Sequence, residues 1–257
     1  MASAITVTAL TLASCLAGDP APTTTPATPP ATDSALITLH FNERPPYLIA
    51  TEDGVRGLTG DPTTLIFEKS GIPFQWKQTP SKRQIYLLQQ NSGRDCLVGW
   101  FKNAEREQFA RFTLPVYQDE PQFALVRADN SAIASGHTVA EVFTNPQLTL
   151  LVKDGYSYGD YLDDRIAQYD PHRTVTTDEN SGMLKMVYAG HADYFFIAPE
   201  EAEGLLRSSE FDAQDFKSIG FTDITSGEKR YILCSRQVEE AVIEQLNTAI
   251  RQYVVLP

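Results

Sequence analysis

The sequence predicts an α/β fold in which strands and helices alternate and the sheets are mostly parallel. Three observations predict it. Short apolar runs with strand character are separated by helical stretches that carry their own start and stop residues. The segment "YLLQQNSGRDCLVGW" (86–100) reads as apolar helix, glycine, polar residues, then an aspartate entering a buried strand. "LKMVYAGHADYFFI" (184–197) repeats that order. With 257 residues, 42% of them apolar, the chain is also large enough for one large domain or two small ones with substantial cores.

The elements follow in turn. "LITLHF" (36–41) alternates as a short strand, and "RPPYLIATEDGVRGLTG", with two prolines and three glycines, reads as turn and hairpin. "DPTTLIFEKSG" is a helix, with Asp61 as its expected cap, Pro62 at its first position and Gly71 at its end. "IPFQWK" is a strand. "SKRQIYLLQQNSG" is a helix with Ile85, Leu87 and Leu88 inward and Gly93 closing it, and "CLVGW" is the next strand. The pattern resumes with strand "QFALVRA", helix "TVAEVF", strand "LTLLV", helix "GDYLDDRIAQY", a helix "SGMLKMVYAG" closed by Gly190, and strand "DYFFI". "KRYILCS" is a strand. The closing helix places Val238, Val242, Leu246, Ala249, Ile250 and Tyr253 at helical spacing, and its apolar face must cover one of the sheets.

The net charge of −12 argues against general nucleic-acid binding. The charge is uneven. Residues 35–125 hold ten acids and ten bases, whereas 126–257 hold twenty-one acids and eleven bases. Cys15, Cys96 and Cys234 form no C-x-x-C pair, so a zinc or redox motif is not expected. Cys96 and Cys234 both fall in apolar strands and are expected as buried free thiols, with a disulfide as the alternative. The apolar run "AITVTALTLAS" is too short to span a bilayer and fits an export signal. "LASC" resembles a lipobox with Cys15 as the lipidated residue. The Pro/Thr-rich stretch up to residue 35 reads as a tether, although no Lys or Arg precedes the apolar run. A lipid-anchored envelope protein is the expectation; plain secretion and a cytoplasmic chain are the alternatives.

Two groups of residues are candidates for chemistry. "GYSYG" (155–159) matches the G-x-S-x-G elbow between a strand and a helix, with Asp170, Asp193, His172 and His191 available as partners. No glycine-rich oxyanion segment follows an early strand, so the plainer reading is a turn whose N–H groups and Ser157 hydroxyl hold an anion. No H-x-x-x-H pair is present, and neither a metal nor a cofactor is expected. The second group is basic. Gly99 and Trp100 end a strand of a parallel sheet, and ligands of such sheets bind beyond the carboxyl ends of the strands. Lys102 and Arg106 fall there, and Arg44, Lys82 and Arg83 fall at the same edge. Arginine offers a planar fork suited to a carboxylate or phosphate. Surface pairing with Glu43, Glu105 and Glu107 is the competing explanation.

"RPPYLIATEDGVRGLTGD", "GRDCLVGWFKNAEREQFARFTLPVY", "LTLLVKDGYSYG", "AGHADYFF" and the closing helix, in this order, resemble the bacterial extracellular solute-binding proteins of family 3, over residues 36–254. The resemblance implies a two-lobed periplasmic-binding-protein fold of type II, each lobe a mostly parallel sheet flanked by helices. Lobe one would comprise residues 36–121 and 234–257, and lobe two 122–233. Strands near Gln122–Val126 and Tyr231–Cys234 would form the hinge. It implies capture of a small anionic or zwitterionic solute, an amino acid or related acid, by a monomer serving an ABC permease. An enzyme on the same scaffold (hydrolase or dehydratase) and a sensor reporting to a membrane receptor are the alternatives. Arg106 matches the family's carboxylate clamp, and Tyr156 and Ser157 match the turn that adds anion contacts. Arg44, with Tyr47 nearby, takes the place of an aromatic that stacks on the ligand, and Trp100 and Tyr47 are expected to pack on its body. Two departures stand out. Gly99 and Trp100 replace small polar residues, and the acid that receives an amine aligns with Ala198, leaving Glu200 as its substitute.

Overall fold

The computed structural model describes residues 1, 2, 4 and 36–256. The expected signal, Cys15 and the tether lie outside the described residues. Strand β1 (Ile37–Phe41) leads into the hairpin β2 (Ile49–Thr51) and β3 (Gly54–Arg56), then α1 (Gly60–Ser70), β4 (Phe74–Gln78), α2 (Ser81–Gln90) and β5 (Asp95–Phe101). A four-residue helix α3 (Ala104–Glu107) and the short strands β6 (Ala110–Phe112) and β7 (Tyr117–Gln118) follow. The middle of the chain forms β8 (Phe123–Arg127), α4 (Val139–Phe143), β9 (Leu150–Lys153), α5 (Asp160–Tyr169), β10 (Arg173–Thr176), α6 (Asn180–Tyr188), β11 (Tyr194–Ile197), α7 (Pro199–Ser208) and β12 (Phe216–Ile219). Strand β13 (Lys229–Ser235) and α8 (Glu240–Tyr253) end it.

These strands build two large sheets. The first runs β4-β1-β5-β13-β6, with β7 also against β13; the second runs β10-β9-β11-β8-β12. In each, three strands are parallel (β4, β1, β5 and β10, β9, β11), because helical crossovers return the chain in the same direction. The other half of each sheet is antiparallel and is organised around β13 or β8. These are the strands that arrive from the other sheet, with no crossover helix to set their direction. The strands expected at the hinge are therefore integral members of the sheets, and the chain crosses just before each, through residues 119–122 and 220–228. The expected lobe boundary at 233/234 falls inside β13, whose residues from Lys229 on pair in the first sheet.

The first core joins Ile37, Leu39 and Phe67 to Val238, Ile243, Leu246 and Ile250, so α8 covers the first sheet. The second sheet is covered on one face by Val139, Val142 and Leu162 and on the other by Met183, Leu184 and Val187. Two helix ends differ from expectation. Thr59 precedes α1, and Asp61 lies within its first turn, where its carboxylate accepts the Gly57 N–H. Asn91, not Gly93, closes α2 in a left-handed conformation that asparagine tolerates. Cys96 and Cys234, expected as free thiols, form a disulfide with an S–S distance of 2.04 Å. They lie directly opposite each other on β5 and β13, a register that sequence spacing does not reveal.

Candidate binding site

The carboxyl ends of β1, β5 and β9 converge on one cavity, as the parallel halves of the two sheets require. The first sheet contributes Asn42, Arg44 and Tyr47 after β1, Gly99, Trp100 and Phe101 on β5, Arg106 on α3, and Arg230 on β13; the turn after β9 contributes Tyr156 and Ser157. The cavity measures about 40 Å³, room for a few water-sized groups.

Local sequence sets each wall. Gly99 has φ +80°, and at the same place the register against β13 slips, so that Tyr231 faces Trp100 and Ile232 faces Val98. The glycine is the extra residue of a bulge, which re-aims the following side chain into the cavity. A Cβ here would stand 3.0 Å from the Thr59 hydroxyl. Trp100 Nε1 donates to Gln84 Oε1 (3.0 Å), and Gln84 Nε2 donates to Asn42 Oδ1 (3.2 Å). Tyr47 is fixed by its carbonyl, which accepts from the N–H groups of Thr59 and Gly60 and from the Thr59 hydroxyl.

Arg106 is buried. Asn103 caps α3 by accepting the Arg106 N–H (2.9 Å). The guanidinium lies 4.8 Å from the Trp100 ring centroid, and Nη1 donates to the Phe101 carbonyl (2.7 Å). Among the described residues no carboxylate comes within salt-bridge distance of it. Burial lowers its pKa below the ordinary guanidinium value, against the opposing pull of Asp163 and Glu105.

The other two arginines of the wall are paired. Arg44 Nε and Nη2 donate to the two carboxylate oxygens of Glu201 on α7, at 2.7 and 2.8 Å. Burial is the largest influence on the pKa of Arg44 and lowers it, but the charge and hydrogen bonds of Glu201 together with Tyr156 and Tyr47 outweigh it and the value rises. Arg230 donates to both oxygens of Asp119 (2.6 and 2.7 Å) and to the Gly99 carbonyl (3.0 Å). Its guanidinium is sandwiched between Tyr47, at 3.7 Å, and Phe101, at 4.6 Å. Tyr156 is held similarly, with Lys153 at 4.3 Å and Arg44 at 5.3 Å from its ring centroid.

Of the residues singled out from sequence, Arg106, Trp100, Gly99, Arg44, Tyr47, Tyr156 and Ser157 line this cavity. Lys102, Lys82 and Glu200 do not. Lys102 lies 2.6 Å from Glu107 and Lys82 lies 2.5 Å from Asp154, the surface pairing that a solvated lysine favours. Arg83 stacks on Tyr86. Glu200, expected to receive an amine, accepts from the Tyr117 hydroxyl (3.0 Å) and the Glu120 N–H (2.8 Å); its neighbour Glu201 takes Arg44 instead. The turn of Ser157 is not an open anion hole. Asp163, in the first turn of α5, folds back to accept the Tyr158 N–H (2.8 Å) and the Ser157 hydroxyl (2.5 Å), and Gly159 N–H donates to Ser157 Oγ. An acid at a helix N-terminus is well placed to do this. The hydroxyl partner of Ser157 is thus a carboxylate, not the histidine an activated serine needs.

Sequence reasoning missed Asn42, Arg230 and the acids behind the wall, Asp119 and Glu201. Asn42 directly follows a parallel strand, and Arg230 is a charge at the head of the apolar run "RYILC"; both signals are present but weak.

Several solved structures share the fold. An ancestral arginine-binding protein bound to arginine is 17% identical and has a TM-score of 0.66, covering 85% of this chain and 92% of that one. Holo ArgBP from T. maritima is 19% identical, TM-score 0.64, with 84% and 89% covered. The substrate binding protein of an amino acid ABC transporter is 16% identical, TM-score 0.62, with 84% and 92% covered. No curated protein sequence matches the chain. The family model described as bacterial extracellular solute-binding proteins, family 3, matches residues 37–254. The chain, with its two helix-flanked sheets and the cavity at their strand ends, belongs to that family.

Proposed function

We propose that this protein captures a small carboxylate-bearing solute between two lobes and delivers it to an ABC importer at the cell envelope. The observation that carries this reading is Arg106: a buried guanidinium, stacked on Trp100, with one carbonyl as its hydrogen-bond partner and, among the described residues, no carboxylate within salt-bridge distance. A buried charge calls for a counter-charge, and a ligand carboxylate supplies it in a matching planar geometry. Two of the similar structures hold arginine or glutamine. Among the described residues no carboxylate lines the cavity to receive an amine, which favours an organic acid over an α-amino acid. Closure would act about residues 119–122 and 220–228, with contacts to both lobes selecting the closed form. Export and anchoring through Cys15 belong with this reading.

Native mass spectrometry of freshly purified protein, followed by calorimetry with the acid it releases, tests the proposal. Arg106→Gln should weaken binding by roughly 2–5 kcal/mol, about 30-fold to a few thousand-fold. Unchanged affinity would remove Arg106 from the site.

A further inference from the structure

Two donors in the cavity wall have no partner among the described residues. The Tyr47 hydroxyl is fully buried and accepts or donates no hydrogen bond, and Asn42 Nδ2 is equally unpartnered. Both residues line the cavity. Buried polar groups in native proteins are nearly always satisfied, so two orphans on residues that line one small space mark a place where something else completes the set. Their orientation is imposed. Asn42 Oδ1 is held by Gln84, which turns the amide nitrogen away from it. The Tyr47 ring is clamped by Arg230 on its face.

The surroundings define what would bind there. Arg44 and Arg230 stand in the wall, while their carboxylate partners Glu201 and Asp119 do not line the cavity. In each pair the positive partner is therefore the one that borders the space. An asparagine N–H, a phenol O–H and two guanidinium edges suit a group that only accepts hydrogen bonds. A cation or an amine would find no carboxylate among the described residues that line the space.

We infer that Tyr47 and Asn42, backed by Arg44 and Arg230, form a second anion subsite, and that the solute is a short dicarboxylate. This rests on the reading that Arg106 holds the first carboxylate. The small cavity favours a solute with a short chain.

Calorimetry with matched acids tests it: propionate against malonate, and butyrate against succinate. The dicarboxylate of at least one pair should bind roughly tenfold or more tightly than its monocarboxylate, the ratio expected of hydrogen bonds to a charged group. Tyr47→Phe should lower dicarboxylate affinity more than monocarboxylate affinity and so remove most of that advantage. The melting temperature of the free protein should stay the same or rise, because an unsatisfied hydroxyl has been deleted. If Tyr47→Phe lowers the melting temperature, Asn42→Ala repeats the comparison. Equal binding of mono- and dicarboxylates, both abolished by Arg106→Gln, would overturn the second subsite and leave the Arg106 reading standing. Binding insensitive to Arg106→Gln would overturn that reading itself. A 2-oxo monocarboxylate matching the dicarboxylate, or no binding by either dicarboxylate, would overturn the second charge.

Discussion

Arg44 and Glu201 join two otherwise separate elements through parallel hydrogen bonds of 2.7 and 2.8 Å: the loop after β1 of the first sheet, and the first turn of α7, which follows β11 of the second. Breaking a buried pair costs roughly 3–5 kcal/mol when the remaining charge stays buried. On the proposed two-lobed reading the cleft opens and lets water reach it. Glu201→Ala should therefore enlarge the open population more than it unfolds the protein. The radius of gyration of the ligand-free variant should rise in small-angle scattering, while the secondary structure stays native. An unchanged radius would show that the pair does not hold the cleft shut.

The Asp119–Arg230 pair should behave differently. Both side chains are buried where the chain crosses between sheets, and Arg230 is held between two aromatic rings. Asp119→Asn should destabilise the fold by roughly 3–5 kcal/mol. For a chain of this size that is a fall of roughly 6–20 °C in melting temperature, measured by calorimetry. A fall under about 3 °C would mean that solvent reaches Arg230.

Glu228 predicts a pH dependence. Burial, then the negative charges of Asp160, Asp163 and Asp119, push its pKa up to about 7, with Arg230 opposing. The folded protein thus holds this proton more tightly than the unfolded chain does. Stability from this group is fully present below the unfolded carboxylate value near 4.3 and is lost as pH rises through about 7. The group is only half-buried, so solvent screening reduces the effect to about 1 kcal/mol. Glu228→Gln should be the more stable protein at pH 8 and should converge with the parent near pH 4. Parallel stability curves across that range would refute the assignment.

Cys96 and Cys234 are fully buried and 138 residues apart in sequence. Closing so long a loop restricts the unfolded chain by roughly 4–5 kcal/mol on the chain-entropy account. The Cys96→Ala/Cys234→Ala variant should melt at a lower temperature. Dithiothreitol should leave the native parent's bond intact until it unfolds, as thiol labelling would show.

The alternation of strand and helix, the closing amphipathic helix and the βαβ rhythm were legible because each depends on neighbours a few residues apart. Arg106 was legible for a related reason. It follows a buried strand closely, and the end of a parallel strand is where ligands sit. Lys82, Lys102 and Glu200 were selected on the same local grounds, yet each found a partner nearby or on another segment. The roles of Arg230 and Asp119 depend on residues 111 apart meeting across a strand pairing. Nothing in their immediate surroundings encodes that.

The amino-acid sequence by itself determined the fold class and the guanidinium at the strand end, because periodicity, glycine punctuation and the direction of parallel strands are local or topological properties. Only the tertiary structure decided which charges are free. Arg44 and Arg230 are neutralised by acids from distant segments, Asp163 fills the turn that looked open, and the cysteines bond because β5 and β13 place them opposite each other. The physical reason is that ion pairing and strand register are settled by distances of a few ångströms between segments far apart along the chain.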